Sequence, residues 1–257
     1  MAAEEVCEKC GGSGWIIHER EGISAAEKCS CVAQRRAEAA VDSTNIPPHF
    51  LRATFETFSI NDANVVAQRS LGDAQRVART YAREYPQLDI PGLLFIGDTG
   101  CGKTHLAVSV LRRLVSRGFE GMFFDFQNLL DRIRASYDAN AGEKDREVYR
   151  LAMDVEILLI DDLGAHRAKE WVEDVVTSII THRYNYRKPT IITTNLADAV
   201  GGYSVVDRSS SPGQLQVRKT LAEVIGMRAR SRLLEMCRIV RMTGVPDYRE
   251  RRSVISS

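Results

Sequence analysis

The chain has 257 residues, enough for one large domain or for a core domain with a small appendage. Apolar residues make up 44% and charged residues 27%, an ordinary balance for a soluble globular protein. The net charge of +1 excludes a polycation that coats nucleic acid through charge alone. Between Val217 and Arg252, ten Lys and Arg residues face four Asp and Glu residues. This local excess of six suits either phosphate binding or a solvated helix face.

The first residues, MAAEEVCEKC, lack the basic and apolar regions of a secretory signal. No run approaches the ~20 apolar residues that are needed to cross a bilayer. We therefore expect a cytoplasmic protein that does not contact membranes. Four of the six cysteines fall within the first 31 residues. In a reducing compartment such clustering predicts a metal site rather than disulfides.

The clustered cysteines are spaced as two close pairs, Cys7 with Cys10 and Cys29 with Cys31. Four thiolates of this kind supply the tetrahedral ligand set of a structural Zn²⁺, although the second pair is tighter than usual. His18 is an alternative ligand, and free thiols are the alternative to a metal. We predict a zinc-binding module with a following helix over residues 1–45, whose role stays open between docking to a partner protein, contact with single-stranded DNA and self-association.

Helix is interrupted at 45–49, where two prolines in Asn45-Ile46-Pro47-Pro48-His49 indicate a linker. From there to residue 249, short apolar runs alternate with helical patterns, which predicts an α/β domain with a parallel sheet. Residues 250–257 form a tail. The predicted strands are Gly92–Ile96, Gly121–Phe126, Glu156–Ile160, Thr190–Thr194 and Cys237–Met242.

A phosphate-binding motif follows the first of these strands. The pattern G-x-x-x-x-G-K-[ST] needs glycines so that backbone N–H groups can surround a phosphate. We expect Lys103 to reach the β- and γ-phosphates of ATP, and the Thr104 hydroxyl to bind Mg²⁺. The residues expected to contact the nucleotide are Gly97, Asp98, Thr99, Gly100, Cys101, Gly102, Lys103, Thr104 and His105.

Two further strands end in polar side chains. Asp161 and Asp162 follow the apolar run that begins at Glu156. Beside a nucleotide, the first carboxylate would bind Mg²⁺ and the second would polarise the attacking water. Asn195 follows the strand Thr190–Thr194, where its amide could bond that water or the γ-phosphate. The ordinary alternative is a turn or helix cap for Asn195 and a tight turn for the two aspartates.

These motifs resemble one protein family. GDTGCGKTHLA, ILLIDDLG, the tract from Trp171 to Asn195 and the segment SRLLEMC from Ser231 are similar to bacterial helicase loaders of the DnaC/DnaI type and the related IstB transposase helpers. The resemblance covers about residues 45–249. It implies an AAA+ fold, which is a three-layer P-loop architecture of the ASCE type with a parallel sheet of about five strands. It also implies an ATPase that oligomerises on DNA or around a replicative helicase.

By this resemblance Lys103 and Thr104 are the Walker A residues, Asp161 is the Walker B metal residue, and Asn195 is the sensor. Arg232 corresponds to the arginine finger that enters a neighbouring subunit's site. Asp162 stands where many AAA+ proteins have Glu, so we expect slow or partner-stimulated hydrolysis. Arg232 could instead be a surface residue of a basic helix, since Arg228 and Arg230 lie beside it.

We therefore predict an ATP-dependent loader of the replicative helicase that contacts single-stranded DNA. The nearest alternative is an IstB-like ATPase that assists a transposase. A third is an ATP-gated DNA- or protein-binding module with negligible hydrolysis.

Overall fold

The computed structural model describes residues 7–20, 23–62, 64–136, 143–165, 170–198, 205–207 and 216–249. The predicted tail at 250–257 lies outside these ranges. Among the helices within them, none combines the length and apolar character needed to cross a membrane. The cytoplasmic location stays a prediction.

The cysteine-rich region contains a β-hairpin that the sequence patterns did not predict. Strands β1 (Trp15–Arg20) and β2 (Ile23–Lys28) pair antiparallel. Three glycines just before β1 have positive φ angles of 57°, 85° and 77°, a conformation that favours glycine. They are Gly11, Gly12 and Gly14. Helix α1 (Ser30–Asp42) follows the hairpin and is the helix expected after the cysteines.

The central sheet has five parallel strands, which confirms the predicted architecture. The strands are β3 (Gly92–Gly97), β4 (Gly121–Asp125), β5 (Ile157–Asp161), β6 (Thr190–Thr194) and β9 (Cys237–Met242). Each observed strand differs from its predicted range by at most one residue at either end. The order in the sheet is β4-β5-β6-β3-β9, so β6 lies between β3 and β5.

Helices cover both faces of the sheet. Along β3, Leu93 and Phe95 face one apolar core while Leu94 and Ile96 face the other, as the two-residue period of a strand requires. The first core includes α2 (Val65–Glu84) and α3 (Lys103–Val115). The second includes α4 (Phe126–Ala135), α5 (Glu143–Asp154), α6 (Glu170–Asn185) and α7 (Leu221–Met236). Two short antiparallel strands, β7 (Val205–Asp207) and β8 (Gln216–Arg218), precede α7.

The segment 45–49 interrupts helix as predicted, but it is not a free linker. The backbone carbonyl of Thr44 accepts a hydrogen bond from the N–H of Phe123 in β4, at 2.7 Å. Ile46 is buried in the same core as Val41 near the end of α1. A 3₁₀ turn over Pro48–Phe50 then leads toward α2. Apolar packing therefore joins the end of α1 directly to the sheet domain, because Ile46 and Val41 share its core.

One buried arginine holds the edge of the sheet where β5 and β6 begin. Arg183 of α6 has 0% exposure, and burial lowers the pKa of its guanidinium to about 9, so it stays charged at neutral pH. Its N–H groups donate to the Thr190 hydroxyl and to backbone carbonyls at the end of α5 and next to both strands. The carbonyls belong to Ala152, Met153, Val155, Glu156 and Pro189, at 2.6–3.2 Å.

Candidate functional site

The phosphate-binding motif forms the loop Asp98–Gly102 between β3 and α3. Gly100 and Gly102 have φ angles of 72° and 96°, in the left-handed region that side chains disfavour. A Cβ at Gly102 would also lie 2.7 Å from the ring of Phe58. Both conformation and space therefore require glycine at this position. The loop leads into the positive end of α3, where an anion is favoured.

Lys103 is the first residue of α3, and only 6% of it is exposed. Its Nζ donates to the carbonyls of Gly97 and Asp98 at 3.0 and 2.7 Å, and to Oδ1 of Asn195 at 2.6 Å. An ammonium group has three protons, so these three oxygens satisfy it. The side chain is thereby folded over the loop, where it faces the end of β6.

Asp161 lies at the end of β5 and is 9% exposed. Its Oδ1 accepts hydrogen bonds from the hydroxyls of Thr193 at 2.6 Å and Thr104 at 2.8 Å. Burial raises the pKa of the Asp161 carboxyl, and the nearby carboxylates of Asp162 and Asp125 act in the same direction, while the two hydroxyls oppose the shift. A cation would relieve this concentration of negative charge. The Thr104 hydroxyl and the Asp161 carboxylate are oxygen donors of the kind that Mg²⁺ prefers, so the residues present fit that ion.

Asp162 connects the strand ends to Lys103. Its backbone has a φ of 56°, which Asp tolerates better than most residues, and its N–H donates to the Thr193 hydroxyl at 2.8 Å. Its Oδ1 accepts from Nδ2 of Asn195 at 2.7 Å. Asn195 therefore bridges the Lys103 ammonium and the Asp162 carboxylate. The structure brings these predicted residues together at one edge of the sheet.

Two of the predicted nucleotide-contacting residues have side chains that point elsewhere. His105 Nε2 contacts the Thr54 carbonyl at 2.9 Å and the Thr57 hydroxyl at 3.2 Å, and burial lowers the pKa of its ring. Cys101 is buried, and burial raises the pKa of its thiol. Only the backbone of His105 remains for contact with a phosphate. Asp98 and Thr99 are exposed on the loop.

Arg232 lies away from this group of residues. It is half-buried one turn before the end of α7, with its guanidinium 5.9 Å from the centre of the Tyr184 ring on α6. Tyr184 closely precedes β6 and α7 runs into β9, so Arg232 lies toward the edge where strands begin. The phosphate loop lies where they end. Of its neighbours, Arg230 is paired with the buried carboxylate of Asp198 at 2.6 Å.

Sequence patterns did not identify Thr193 or the C-terminal segment as parts of the site. Thr193 bonds both Asp161 and Asp162, yet in the sequence it resembles any threonine in a strand. The N–H of Tyr248 donates to the carbonyl of Gly100 at 3.2 Å, and the side chain of Asp247 fills the space beside that glycine. This segment is nearly 150 residues from the loop in sequence, so no local pattern connects the two.

The four clustered cysteines converge as predicted. The Sγ atoms of Cys7, Cys10, Cys29 and Cys31 all lie within 4.8 Å of one another. Two of the separations are 3.8 and 3.5 Å, far longer than a disulfide. Four ligands at ~2.3 Å around a tetrahedral zinc would be about 3.8 Å apart, so the donor set and its spacing fit Zn²⁺.

The thiols of Cys10 and Cys31, 3.5 Å apart, have oppositely shifted pKa values. Although partial burial opposes it, hydrogen bonds led by the N–H of Gly14 lower the pKa of Cys10 to about 6. The hydrogen bond with Cys10, followed by burial, raises the pKa of Cys31 to about 12.

A glycine-rich loop after a central strand, paired aspartates at the end of β5 and a polar residue just after the intervening β6 define a P-loop nucleotide-binding protein of the AAA+ class. Residues 2–206 match the model of the IstB-like ATP-binding proteins, and the chain belongs to that family.

Similarity to individual proteins is modest. The replicative helicase loader DnaC of Escherichia coli (strain K12) is 25% identical over 118 residues, which are 46% of this chain and 47% of DnaC. The insertion sequence IS5376 putative ATP-binding protein of Geobacillus stearothermophilus is 26% identical over 156 residues, or 61% of this chain and 58% of that protein. The chain thus spans about half the length of these relatives. A crystal structure of the DnaC helicase loader superposes with a TM-score of 0.59 at 28% identity, covering 76% of this chain and 99% of that one.

The cysteine cluster generates a direct test. We expect one zinc per chain in freshly purified, reduced protein, measured by elemental analysis. Replacing Cys7 and Cys10 with Ser should release the metal, because hard hydroxyls bind Zn²⁺ far more weakly than thiolates. The matched control is Cys237→Ser, since that cysteine is buried elsewhere and should leave the zinc content unchanged. Protein that contains no zinc would refute the site.

Proposed function

We propose that the chain binds and hydrolyses ATP at the edge of the sheet where β3, β5 and β6 end. The observation that carries this proposal is the unbroken set of contacts from Lys103 through Asn195 to Asp162. In this proposal Thr104 and Asp161 hold Mg²⁺, which would neutralise charge on the phosphates when bound. Lys103 exchanges its neutral carbonyl partners for the more strongly charged oxygens of the β- and γ-phosphates.

Asp162 and Asn195 then act on the attacking water. The Asp162 carboxylate accepts a proton from the water, and the Asn195 amide positions the water or the γ-phosphate. The 2.7 Å bond between the two side chains sets their relative position. Asp is one methylene shorter than the Glu of many AAA+ proteins, so we propose that turnover is slow until a partner or DNA adjusts the site.

We further propose that Arg232 completes the site of a neighbouring subunit. Its position toward the opposite edge of the sheet supports action in another subunit rather than in its own. Arg230 is held by Asp198, whereas Arg232 makes a cation–π contact that leaves its N–H groups able to meet a phosphate. The active form is then an AAA+ oligomer of two or more chains.

The partner that we propose is the replicative DNA helicase, with single-stranded DNA as a second ligand. The similarity to the DnaC loader covers nearly the whole of its solved structure and supports a loader. The cysteine cluster favours a loader over a transposase helper as the role of this chain. To test this partner, the host's purified replicative helicase is mixed with the chain and ATP and analysed by size-exclusion chromatography. Co-elution is expected. A complex with the host's transposase but none with the helicase would contradict a loader.

Asp162→Asn should retain ATP affinity but reduce turnover about 100-fold or more, because an amide cannot accept the proton. Its side-chain oxygen can still accept the bond from Asn195, so the geometry is kept. The control is Asp125→Asn, which removes another carboxylate at the same edge while preserving the helix cap at α4. Single-turnover phosphate release measures both. Equal activity of Asp162→Asn and wild type would make Asp162 a structural residue.

Arg232→Ala should bind ATP normally yet lose about 100-fold or more of its turnover, because the finger serves a neighbour. Mixing it with Lys103→Ala protein should restore part of the activity. In the mixed interface, the intact pocket of one variant meets the intact finger of the other. The exposed Arg228, one turn away on α7, provides the control Arg228→Ala, which should remain active. Failure to recover on mixing, with co-assembly shown by light scattering, would exclude Arg232 as the finger.

A further inference from the structure

A cavity lies between α2, α3, the end of α1 and the segment 51–56. Its volume is about 840 Å³, and none of the phosphate-loop residues Gly97–Thr104 lines it. Ser109, buried on the side of α3, is part of its wall. Five arginines also line it, two from α2 and three from α3 or the turn that follows. They are Arg79, Arg83, Arg112, Arg113 and Arg117.

Positive charge is concentrated in this cavity. Among the lining residues that the structure describes, Asp42 and Glu56 are the only carboxylates, so these residues carry a formal charge of +3, five arginines less two acids. The entire chain carries +1. A concave surface with walls of low dielectric constant strengthens the field of such a cluster and attracts anions.

Two of the five guanidiniums, those of Arg112 and Arg117, are positioned by backbone carbonyls. Arg112 donates to the carbonyls of Leu51 and Ala53, and burial lowers the pKa of its guanidinium. Arg117 donates to the carbonyls of Ala82 and Tyr85, at 2.5 and 2.7 Å. Each guanidinium has five N–H donors, and these carbonyls use only part of them. Both groups therefore have spare donors in a fixed position.

Three arginines at the rim have weaker attachments. Arg79 pairs with Glu56 at 3.4 Å and Arg83 with Glu84 at 3.2 Å, both pairs between exposed groups. Surface pairs of this type contribute little to stability, so an incoming phosphate can displace them. Arg113 is exposed on the outer side of α3.

The positive surface continues along α2. Arg69, Arg76 and Arg83 recur every seven residues on the solvent side, opposite the buried Ala67, Leu71 and Ala74. At 1.5 Å per residue this row extends about 21 Å and ends at the cavity. Asp73 and Glu84 lie on the same exposed side and pair with Arg76 and Arg83 at 3.1 and 3.2 Å, in surface ion pairs that a phosphate can replace.

We propose that this row and cavity, together the α2–α3 arginine groove, bind the phosphate backbone of single-stranded DNA. The proposal rests on the loader function above and assigns the surface for its DNA contact. The volume is in the range of pockets that admit a nucleotide-sized ligand. A flexible single strand can bend one or two phosphates into it, whereas a duplex with a persistence length of about 50 nm cannot. Because α3 carries both Lys103 and Arg113, a strand held here contacts the helix that begins at the ATP site.

The test uses the full chain and a fluorescein-labelled oligothymidylate, with affinity followed by anisotropy as salt is raised. Arg83→Gln/Arg113→Gln removes two phosphate contacts. The negative slope of log K against log salt should therefore become shallower by about 1.4, at about 0.7 per contact. Arg150→Gln/Arg238→Gln removes the same charge from exposed positions on α5 and β9 and should bind like wild type. Arg83→Lys/Arg113→Lys keeps the charge and should restore most of the slope.

Three outcomes would overturn the groove. If Arg83→Gln/Arg113→Gln binds like wild type, or if both Gln pairs lose affinity equally, the DNA contact of the proposed function stands but lies elsewhere. A duplex that binds as tightly, with the same dependence on Arg83 and Arg113, excludes the single-strand assignment. If the wild-type chain does not bind the oligothymidylate even at low salt, the proposed DNA contact itself is wrong.

Discussion

The contact on which the site depends is the pair of hydrogen bonds made by one amide, Asn195. Its oxygen accepts from the Lys103 ammonium and its nitrogen donates to the Asp162 carboxylate, at 2.6 and 2.7 Å. Only the order of the strands makes this possible. Because β6 lies between β3 and β5, the residue after β6 lies between the phosphate loop and the paired aspartates. A neutral amide there joins a cation to an anion while it keeps them apart, so both remain available to a nucleotide.

The opposite edge of the sheet explains why those strand ends stay in position. Arg183 is fully buried and bonds the residues that lead into β5 and β6. Removing the guanidinium would leave several buried carbonyls unsatisfied, each at a cost of about 1–3 kcal/mol. A strand pair fixed at its beginning is also fixed in register at its end. Asn195 is therefore held beside Lys103, and Asp161 beside Thr104.

Much of this arrangement could be predicted from sequence, because local patterns carry the signal. The five strands are compact apolar runs, and the loop from Gly97 to Thr104 is specified residue by residue. Helix α2 gave no clear signal because its buried face is largely alanine, which contributes little to an apolar stripe. Ile46 was hidden in a proline-containing segment that indicates a linker. Arg183 was assigned no role, since nothing local distinguishes a buried arginine from an exposed one.

Residues that act across long separations were the hardest to predict. The arginines of α2 and α3 are ordinary helix residues in the sequence and form a groove only when the two helices pack together. Thr193 reaches the site because β6 pairs with β5, and Asp247 reaches it because the chain after β9 returns to the phosphate loop. Both placements follow from tertiary structure alone. The individual motifs were thus predictable, whereas the contacts that connect them were not.

A double-mutant cycle on Asn195→Ala and Asp162→Asn tests the central claim, with single-turnover ATP hydrolysis as the measured quantity. If Asn195 works by holding Asp162 and Lys103 in one unit, each single change should remove most of the turnover. The double variant should then be no slower than the slower single variant, because residues that act as a unit are not additive. ATP affinity should change little along the cycle. If the losses in activation free energy were fully additive, so that the fold-reductions in turnover multiplied, the two side chains would act independently, and this would contradict the account.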